Sequence, residues 1–359
     1  MTIKVLIVDD SLLMRALLTE IINGAPDLEV VGAAPDPIAA REMIKALSPD
    51  VLTLDVEMPK MDGLEFLTRI MRLRPMPVVM ISSLTDKGSE VTLQALEYGA
   101  VDFVAKPRAE SATQLLAYSD EIREKIRGAH GARLRGGVRP PRAQATAAAV
   151  SPAPTFSPGG GSTLSGRALA DHIVAIGAST GGTEAIREVL SALPAEMPGI
   201  VMAQHMPEGF TSSFARRLDA LSNLTVVEAK GGERIQPGHA YLAPGHSHLL
   251  IRRSAGGYVT ELSQADPVNR HRPSVDVLFR SVAQEARDRA SGIILTGMGK
   301  DGALGLLEMR EKGAWTLGQD QDSCVVYGMP REAASVGALA EVAPLGDIAA
   351  RLLARLRRL

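Results

Sequence analysis

The chain has 359 residues and a formal net charge of −2. This length is large for one average domain and predicts two. The nearly balanced charge gives no indication of a nucleic-acid partner, and the single cysteine, Cys324, excludes an intramolecular disulfide and a multi-cysteine zinc site. We expect Cys324 to be a small buried apolar residue.

The N-terminus gives no indication of export. The apolar run at residues 5–8 ends at two aspartates and is shorter than the core of a signal peptide. No stretch reaches the roughly 18 apolar residues that span a bilayer. We therefore predict a cytoplasmic protein with no membrane insertion.

Strand and helix patterns alternate in the first 125 residues. Amphipathic runs with apolar residues at helical spacing, such as residues 12–22 and 63–73, lie between short β-rich runs. This alternation predicts an α/β domain in which helices cover both faces of a five-stranded parallel sheet. The predicted strands are residues 4–8, 29–33, 50–56, 77–83 and 102–106.

The composition changes over residues 126–168. Gly, Pro, Ala and Ser dominate, and no Asp or Glu occurs between Glu124 and Asp171. Such a segment lacks the apolar surface needed to offset the entropy of ordering it. The composition therefore predicts a flexible linker between a domain at residues 1–125 and a domain at residues 169–359.

After the linker, apolar runs again lead directly into polar or glycine-rich turns. Residues 172–179, 199–206 and 292–299 show this pattern, which predicts a second doubly wound α/β domain. Two further runs, 239–244 and 248–253, are expected to form an antiparallel annex. The C-terminal residues are typical of an amphipathic helix.

Charged and hydroxyl side chains end strands of the first domain. Asp9 and Asp10 follow the first strand, Asp55 ends the third, and Ser82 and Lys106 end the fourth and fifth. They should converge because the carboxyl ends of parallel strands share one edge. Clustered carboxylates attract a cation, for which oxygen ligands suggest Mg²⁺, and a neutralised carboxylate can attack a phosphoryl donor. Helix capping alone would explain one such aspartate, but not the whole set.

Four segments of this half resemble the response-regulator receiver family, which has a flavodoxin-like fold. They are VDD, LDVEMPKMDG, ISS and AKP. The resemblance implies that Asp55 is the phosphoacceptor and that a histidine kinase is the donor. Ser82 would be the switch hydroxyl, where many relatives carry Thr, and Phe103 stands where some relatives carry a switch tyrosine.

The same resemblance assigns the residues of the phosphorylation pocket. Asp9 and Asp10 would form its acidic part, and Lys106 would bind the phosphate. Mg²⁺ would be held by Asp10, Asp55 and the backbone carbonyl of Glu57.

A serine, a histidine and an aspartate follow strands of the second half. Ser179 lies in the G-x-S-x-G turn GASTG, and the helix after it can offer N–H groups to an oxyanion. His205 ends the next strand and Asp301 follows another, so all three should lie at one edge of the sheet. A serine nucleophile requires such a base, and the base requires an orienting acid.

The residues alone leave alternatives open. Glycine-rich turns also bind dinucleotides, although GASTGG lacks the G-x-G-x-x-G pattern. His271, in the polar segment NRHRPSVD, is the strongest competitor for the role of base. His246 and His248 have metal-like spacing without accompanying ligands. The rival functions are a DNA-binding output and a binding module without chemistry.

Six segments of the second half resemble the catalytic domain of chemotaxis protein-glutamate methylesterases, the CheB family. They are GASTGGTEAI, QHMPEGFT, GHAYLAPG, NRHRPSVDVLF, ILTGMGKDG and CVVYGMPREA. The resemblance implies that Ser179 is the nucleophile, His205 the general base and Asp301 the orienting acid. It also implies that the backbone N–H groups of Thr180 and Met298 stabilise the oxyanion.

Together the two resemblances imply a phosphorylation-activated serine hydrolase. It would demethylate glutamate esters and deamidate glutamines on chemoreceptors, with no cofactor in the catalytic domain. We expect the unphosphorylated receiver to lie across the edge that carries Ser179, since nothing else in the chain offers a lid.

Overall fold

The computed structural model describes residues 2–58, 62–83, 86–106, 112–134 and 166–359. Strands and helices alternate in the N-terminal domain, as the sequence predicts. The strands are β1 (Ile3–Val8), β2 (Leu28–Ala34), β3 (Val51–Asp55), β4 (Val78–Ser82) and β5 (Asp102–Ala105). The helices are α1 (Leu12–Asn23), α2 (Pro37–Leu47), α3 (Gly63–Leu73), α4 (Asp86–Glu97) and α5 (Ala112–His130).

The strands of this domain form one parallel sheet in the order β2-β1-β3-β4-β5. Alternate side chains of β1 enter different cores: Leu6 and Val8 pack beneath α2, α3 and α4, whereas Val5 and Ile7 pack beneath α1 and α5. Since helices cover both faces, the strands are apolar along most of their length. This confirms the predicted doubly wound sheet.

Helix α5 continues into the segment that composition assigns to the linker. Residues 126–130 are helical because Ile126 and Ala129 are buried in the core shared with α1. The linker therefore begins later than residue 126, and composition placed its start too early. Residues 135–165 of the predicted linker lie outside the described residues.

The C-terminal domain contains the remaining elements. Its helices are α6 (Gly166–Asp171), α7 (Gly182–Ser191), α8 (Thr211–Leu221), α9 (Val275–Glu285), α10 (Ala303–Glu311), α11 (Met329–Ser335) and α12 (Leu345–Leu356). Its strands are β6 (Ile173–Ala178), β7 (Gly199–Gln204), β8 (Thr225–Glu228), β9 (His239–Leu242), β10 (His248–Ser254), β11 (Gly257–Ser263), β12 (Ala290–Ile294), β13 (Trp315–Gln319) and β14 (Glu341–Ala343). Within the described ranges, no helix is long and apolar enough to cross a membrane.

A seven-stranded parallel sheet in the order β14-β13-β12-β6-β7-β9-β8 forms the centre of this domain. Helices α7, α8 and α12 cover one face, and α9, α10 and α11 cover the other. The predicted antiparallel annex is half right. Residues 248–253 lie in the antiparallel hairpin β10-β11, but β9 pairs in parallel with β7 and β8. It does so because Ala240 and Leu242 are fully buried and complete the core beneath the sheet.

The two domains pack against each other through the carboxyl edge of the larger sheet. The ring centroids of Phe103 in β5 and Phe210, which precedes α8, are 4.5 Å apart. Beside them, Glu97 of α4 forms an ion pair with Arg217 of α8. The hydrophobic core is therefore continuous from one domain to the other.

Candidate active site

The central strands of the larger sheet place three side chains at one edge. β6 lies between β7 and β12, where the strand order reverses and a doubly wound sheet opens a crevice. Ser179 follows β6, His205 follows β7, and Asp301 lies in the turn after β12. Ser179 and His205 line a cleft of about 740 Å³.

The turn that carries Ser179 is sharp and held on both sides. The Ser179 N–H donates to the carbonyl of Thr296 at 3.0 Å, and the Ser179 carbonyl accepts from the Gln204 side chain at 2.9 Å. Gly181 has a φ of 75°, in the left-handed region that favours glycine. At Gly182 a Cβ atom would lie 2.2 Å from Oε1 of Gln204, so this close approach also requires glycine. The turn has the form expected of G-x-S-x-G.

A buried carboxylate orients His205. Nε2 of His205 lies 2.8 Å from Oδ2 of Asp301, and this oxygen also accepts from the N–H of Val275. Oδ1 of Asp301 accepts from the side chains of Ser274 and Asn269. Burial would raise the pKa of Asp301, but the hydrogen bonds from His205, Asn269 and Ser274 outweigh it and lower the pKa. The N-terminus of α9 also favours negative charge there. Asp301 therefore stays ionised and directs an N–H of His205 toward itself.

The other nitrogen of His205 is available for proton transfer. Nδ1 is buried and has no hydrogen-bond partner. The Ser179 hydroxyl does not hydrogen-bond to Nδ1. The structure therefore contains the hydrogen bond between His205 and Asp301 but none between Ser179 and His205. Thr180 and Met298 line the same cleft, and their backbone N–H groups make no hydrogen bond within the described residues.

The acidic residues of the N-terminal domain also converge. Carboxylate oxygens of Asp9, Asp10 and Asp55 lie within 4.8 Å of one another. Nζ of Lys106 lies 2.7 Å from Asp55 and 3.5 Å from Asp9. Burial raises the pKa of Asp55 to about 6, although Lys106 opposes this shift. Beside the cluster, the Glu57 N–H donates to Asp55 at 3.2 Å.

Ser82 and Phe103 do not face this cluster in the described conformation. The Ser82 hydroxyl accepts from Thr92 at 2.7 Å and lies 3.3 Å from the carbonyl of Gly88, so it faces α4. Phe103 contacts Phe210 of the other domain instead.

The histidines outside the predicted triad have other environments. His248 uses both ring nitrogens, one with the carbonyl of Asp266 and one with the N–H of Ser274. His246 contacts the Ser247 hydroxyl, so the pair does not form a metal site. Among the described residues, the acidic cluster around Asp55 is the candidate metal site.

Comparisons with known proteins identify the family to which this chain belongs. A family model for the CheB methylesterase matches residues 174–352, and one for the response regulator receiver domain matches residues 5–117. A protein-glutamate methylesterase/protein-glutamine glutaminase of Nitrosomonas europaea is 63% identical over 354 residues, which are 99% of this chain and 96% of the relative. This chain belongs to the CheB family.

Other CheB relatives support the assignment. The equivalent protein of Thiobacillus denitrificans is 60% identical over 98% of this chain and 96% of its own length. The crystal structure of the Thermotoga maritima CheB methylesterase catalytic domain is 39% identical. It covers 51% of this chain and 98% of its own, with a TM-score of 0.50. Both the receiver and the catalytic half of the CheB architecture are therefore present.

The receiver domain closes one side of the CheB cleft. Glu121 and Lys125 of α5 line the same cleft as Ser179. The Thr180 hydroxyl donates to Asp102, which also accepts from Nζ of Lys125 at 2.8 Å. The receiver thus contacts the residue that follows Ser179.

Several of these contacts were not predicted from the sequence. Asn269 and Ser274 flank His271 in NRHRPSVD, and the polar character of that segment was the available signal. No feature of the sequence predicts the contact of Asp102 with Thr180, because Asp102 lies in a run of residues typical of an ordinary strand. His271, the competitor for the base, lies flat on the ring of His205, and its ring does not hydrogen-bond to Asp301.

Proposed function

We propose that this chain is a serine hydrolase that removes γ-methyl esters from chemoreceptor glutamates and releases methanol. The observation that carries the proposal is the His205–Asp301 pair, whose free Nδ1 lies at the same sheet edge as Ser179. Membership of the CheB family gives the substrate class, since the relatives are named protein-glutamate methylesterase/protein-glutamine glutaminase.

The roles follow from the geometry. Nδ1 of His205 takes the proton of Ser179, and Oγ of Ser179 forms a bond to the ester carbonyl carbon. The N–H groups of Thr180 and Met298 hold the resulting oxyanion. The protonated imidazole, stabilised by Asp301, returns the proton to the departing methoxide. Water then releases the glutamate carboxylate by the reverse sequence.

Replacing Ser179 with alanine tests the nucleophile. Methanol release from methylated receptor membranes should fall to background for Ser179→Ala. Ser335→Ala is a matched control, since Ser335 is exposed and bonds only to the backbone of α11. Undiminished methanol release by Ser179→Ala would rule out this mechanism.

The same residues can hydrolyse a side-chain amide. An amide carbonyl accepts the Ser179 oxygen in the same way, and the imidazolium supplies the proton that ammonia needs to leave. We therefore also propose glutamine deamidation, which should require Ser179 equally. Ammonia release by a Ser179→Ala variant would show that deamidation occurs elsewhere.

The receiver domain of this family implies phosphorylation with Mg²⁺. We propose that Asp55 is the phosphoacceptor and a chemotaxis histidine kinase the donor. The donor set fits the ion: the ligands are oxygens, and Oδ2 of buried Asp9 makes no hydrogen bond. Asp10, Asp55 and the Glu57 carbonyl would hold Mg²⁺, which would neutralise the carboxylates and the incoming phosphoryl group. Lys106, already beside Asp55, would bind the phosphoryl oxygens.

We further propose that the unphosphorylated receiver inhibits the esterase sterically. The contact between Asp102 and Thr180 and the position of Lys125 in the cleft support this, because a substrate side chain that reaches Ser179 would need the same space. Phosphorylation of Asp55 would weaken the interface and expose the cleft. Residues 166–359 alone should hydrolyse esters faster than the full unphosphorylated chain. An equal or slower rate would exclude steric inhibition.

A further inference from the structure

A second imidazole lies flat against the predicted base. The ring centroids of His205 and His271 are 3.6 Å apart, and the ring planes differ by 14°. His271 comes from the connection between β11 and α9, about 65 residues further along the chain. Within the described residues the His271 ring makes no hydrogen bond, so the stack on His205 is the specific contact that the structure gives this ring.

The backbone around His271 is held in an unfavourable shape. Asn269 and Arg270 have φ values of 52° and 70°, in the left-handed region. Asn adopts this region readily, but Arg rarely does, and its conformation persists only where its surroundings fix it. Here the N–H groups and carbonyls of Val268 and His271 pair with each other, at 3.0 and 3.1 Å. Because this strain is maintained beside the active site, the position of the His271 ring is specified rather than incidental.

The same segment is tied to the triad carboxylate. Nδ2 of Asn269 donates to Oδ1 of Asp301 and to Oδ2 of Asp276, each at 2.8 Å. Asp301 therefore connects directly to His205 and, through Asn269, to the loop that carries His271. This hydrogen-bond network positions both the carboxylate at the edge of the His205 ring and the loop whose His271 lies on the face of that ring.

His271 does not have the electrostatic character of a base. Burial and the neighbouring His205 lower the pKa of His271, and Lys125 of α5 and Arg270 act in the same direction against Asp301. These surroundings favour the neutral form of the His271 ring. A neutral ring can lie against the imidazolium that forms on His205 without repelling it.

We propose that His271 is a positioning residue, which fixes the ring plane of His205 so that Nδ1 faces the Ser179 hydroxyl. Asp301 holds the ring at Nε2 alone, and a ring held at one atom can still tilt about that contact. The flat face of His271 removes this freedom. Its effect is on the proton transfer and not on substrate binding, because correct orientation is needed at the moment of reaction. The inference rests on the proposed esterase activity.

The test compares two substitutions of His271 in the full chain. Methanol release is measured with saturating phosphodonor and Mg²⁺, so that receiver inhibition is the same in every variant. His271→Ala should lower kcat about tenfold with KM changed less than about twofold, since the face is lost. His271→Phe keeps an aromatic face and should restore kcat to within about threefold of the unsubstituted chain.

Several outcomes would overturn the proposal. A His271→Phe variant as inactive as Ser179→Ala would make His271 a group that transfers protons. Unchanged kcat in His271→Ala would show that the stack does not position the base. A kcat/KM profile of His271→Phe that changes shape between pH 6 and 9 would also overturn it, because a residue that only positions His205 transfers no proton.

Controls separate this inference from folding and from the proposed function. His246→Ala is the matched control, since His246 is exposed and contacts Ser247 alone. Fluorescence of the single tryptophan, Trp315 in β13, reports whether each variant folds. If the unsubstituted chain releases no methanol, the proposed function fails. If it does so and His271→Ala matches it, this inference alone fails.

Discussion

At the residue scale, the carboxylate of Asp301 decides which nitrogen of His205 carries the proton. It receives hydrogen bonds from His205, Asn269, Ser274 and the N–H of Val275, and it lies at the N-terminus of a helix. A histidine held in this way can act as a base at Nδ1 alone. If asparagine replaced Asp301, its neutral amide would keep the shape of this site but would no longer determine which nitrogen of His205 carries the proton.

The first prediction concerns this control. Asp301→Asn should lower kcat by about 10³- to 10⁴-fold, with little change in KM, because the imidazole would adopt the wrong tautomer. Methanol release from methylated receptors measures both constants. Asp288→Asn, at an exposed position of the same domain, should leave them unchanged. A fall of less than about tenfold in the Asp301 variant would mean that Asp301 does not orient the base.

Ser179, His205 and Asp301 could be predicted because each directly follows a recognisable strand, and strand ends of a parallel sheet share an edge. The partners of Asp301 could not be predicted in the same way. Asn269 and Ser274 lie in a connection without periodicity, and their approach to Asp301 depends on how that connection folds over the sheet. The orientation of Ser82 toward Thr92 likewise depends on packing.

At the scale of single elements, the strand that carries Ser179 begins beside a buried histidine. Nε2 of His172 lies 2.9 Å from the Ser291 hydroxyl at the start of β12, and both residues are buried. Burial lowers the pKa of His172 to about 4. Because His172 must remain neutral in the folded chain, its protonation opposes the pairing of β6 with β12.

The second prediction gives the sign of this effect. Between pH 6.5 and 4 the unfolded chain binds a proton at His172 that the folded chain does not, so stability rises with pH in this window. From pH 7 to pH 5, His172 should therefore remove about 2 kcal/mol of the free energy of unfolding.

His172→Gln should reduce this loss, since glutamine can bond to Ser291 and does not titrate. Urea unfolding followed by Trp315 fluorescence at pH 7 and pH 5 measures the difference. Exposed His246→Gln is the control. Identical pH dependence in His172→Gln and the unsubstituted chain would contradict the assigned shift.

Sequence patterns were sufficient to predict some of the helices and strands but not others. The strands of the receiver, and the three that precede the residues of the predicted triad, follow from short apolar runs between helical patterns. The place of β9 did not follow, because a run of four residues reads alike in a hairpin and in a parallel sheet. The extension of α5 to residue 130 depends on two apolar residues, Ile126 and Ala129, within a segment of linker-like composition.

At the scale of the whole molecule, the receiver and the catalytic domain meet over the carboxyl edge of the larger sheet. The interface combines an aromatic contact, Phe103 with Phe210, and an ion pair, Glu97 with Arg217. Neither contact could be predicted from one sequence, because each joins residues more than 100 positions apart in different domains.

The third prediction concerns a substitution that weakens the interface between the two domains away from the active site. Glu97→Ala should increase ester hydrolysis by the unphosphorylated chain about two- to fivefold, because a partly exposed ion pair contributes at most about 1 kcal/mol. The phosphorylated rate should stay within about twofold, since the contact is already released. Glu42→Ala, which removes the exposed ion pairs of Glu42 with Arg41 and Lys45 in α2, should change neither rate. Equal basal rates in the two variants would show that this interface does not restrain the enzyme.

The central claim is that Ser179 acts in a cleft that the receiver covers until Asp55 is phosphorylated. Methanol release from methylated receptor membranes by the full chain, before and after addition of a small phosphodonor with Mg²⁺, tests it most directly. We predict a low rate that rises by about tenfold or more on phosphorylation and a rise that is lost in Asp55→Asn. A rate that is the same before and after addition, or that rises equally in Asp55→Asn, would contradict the account.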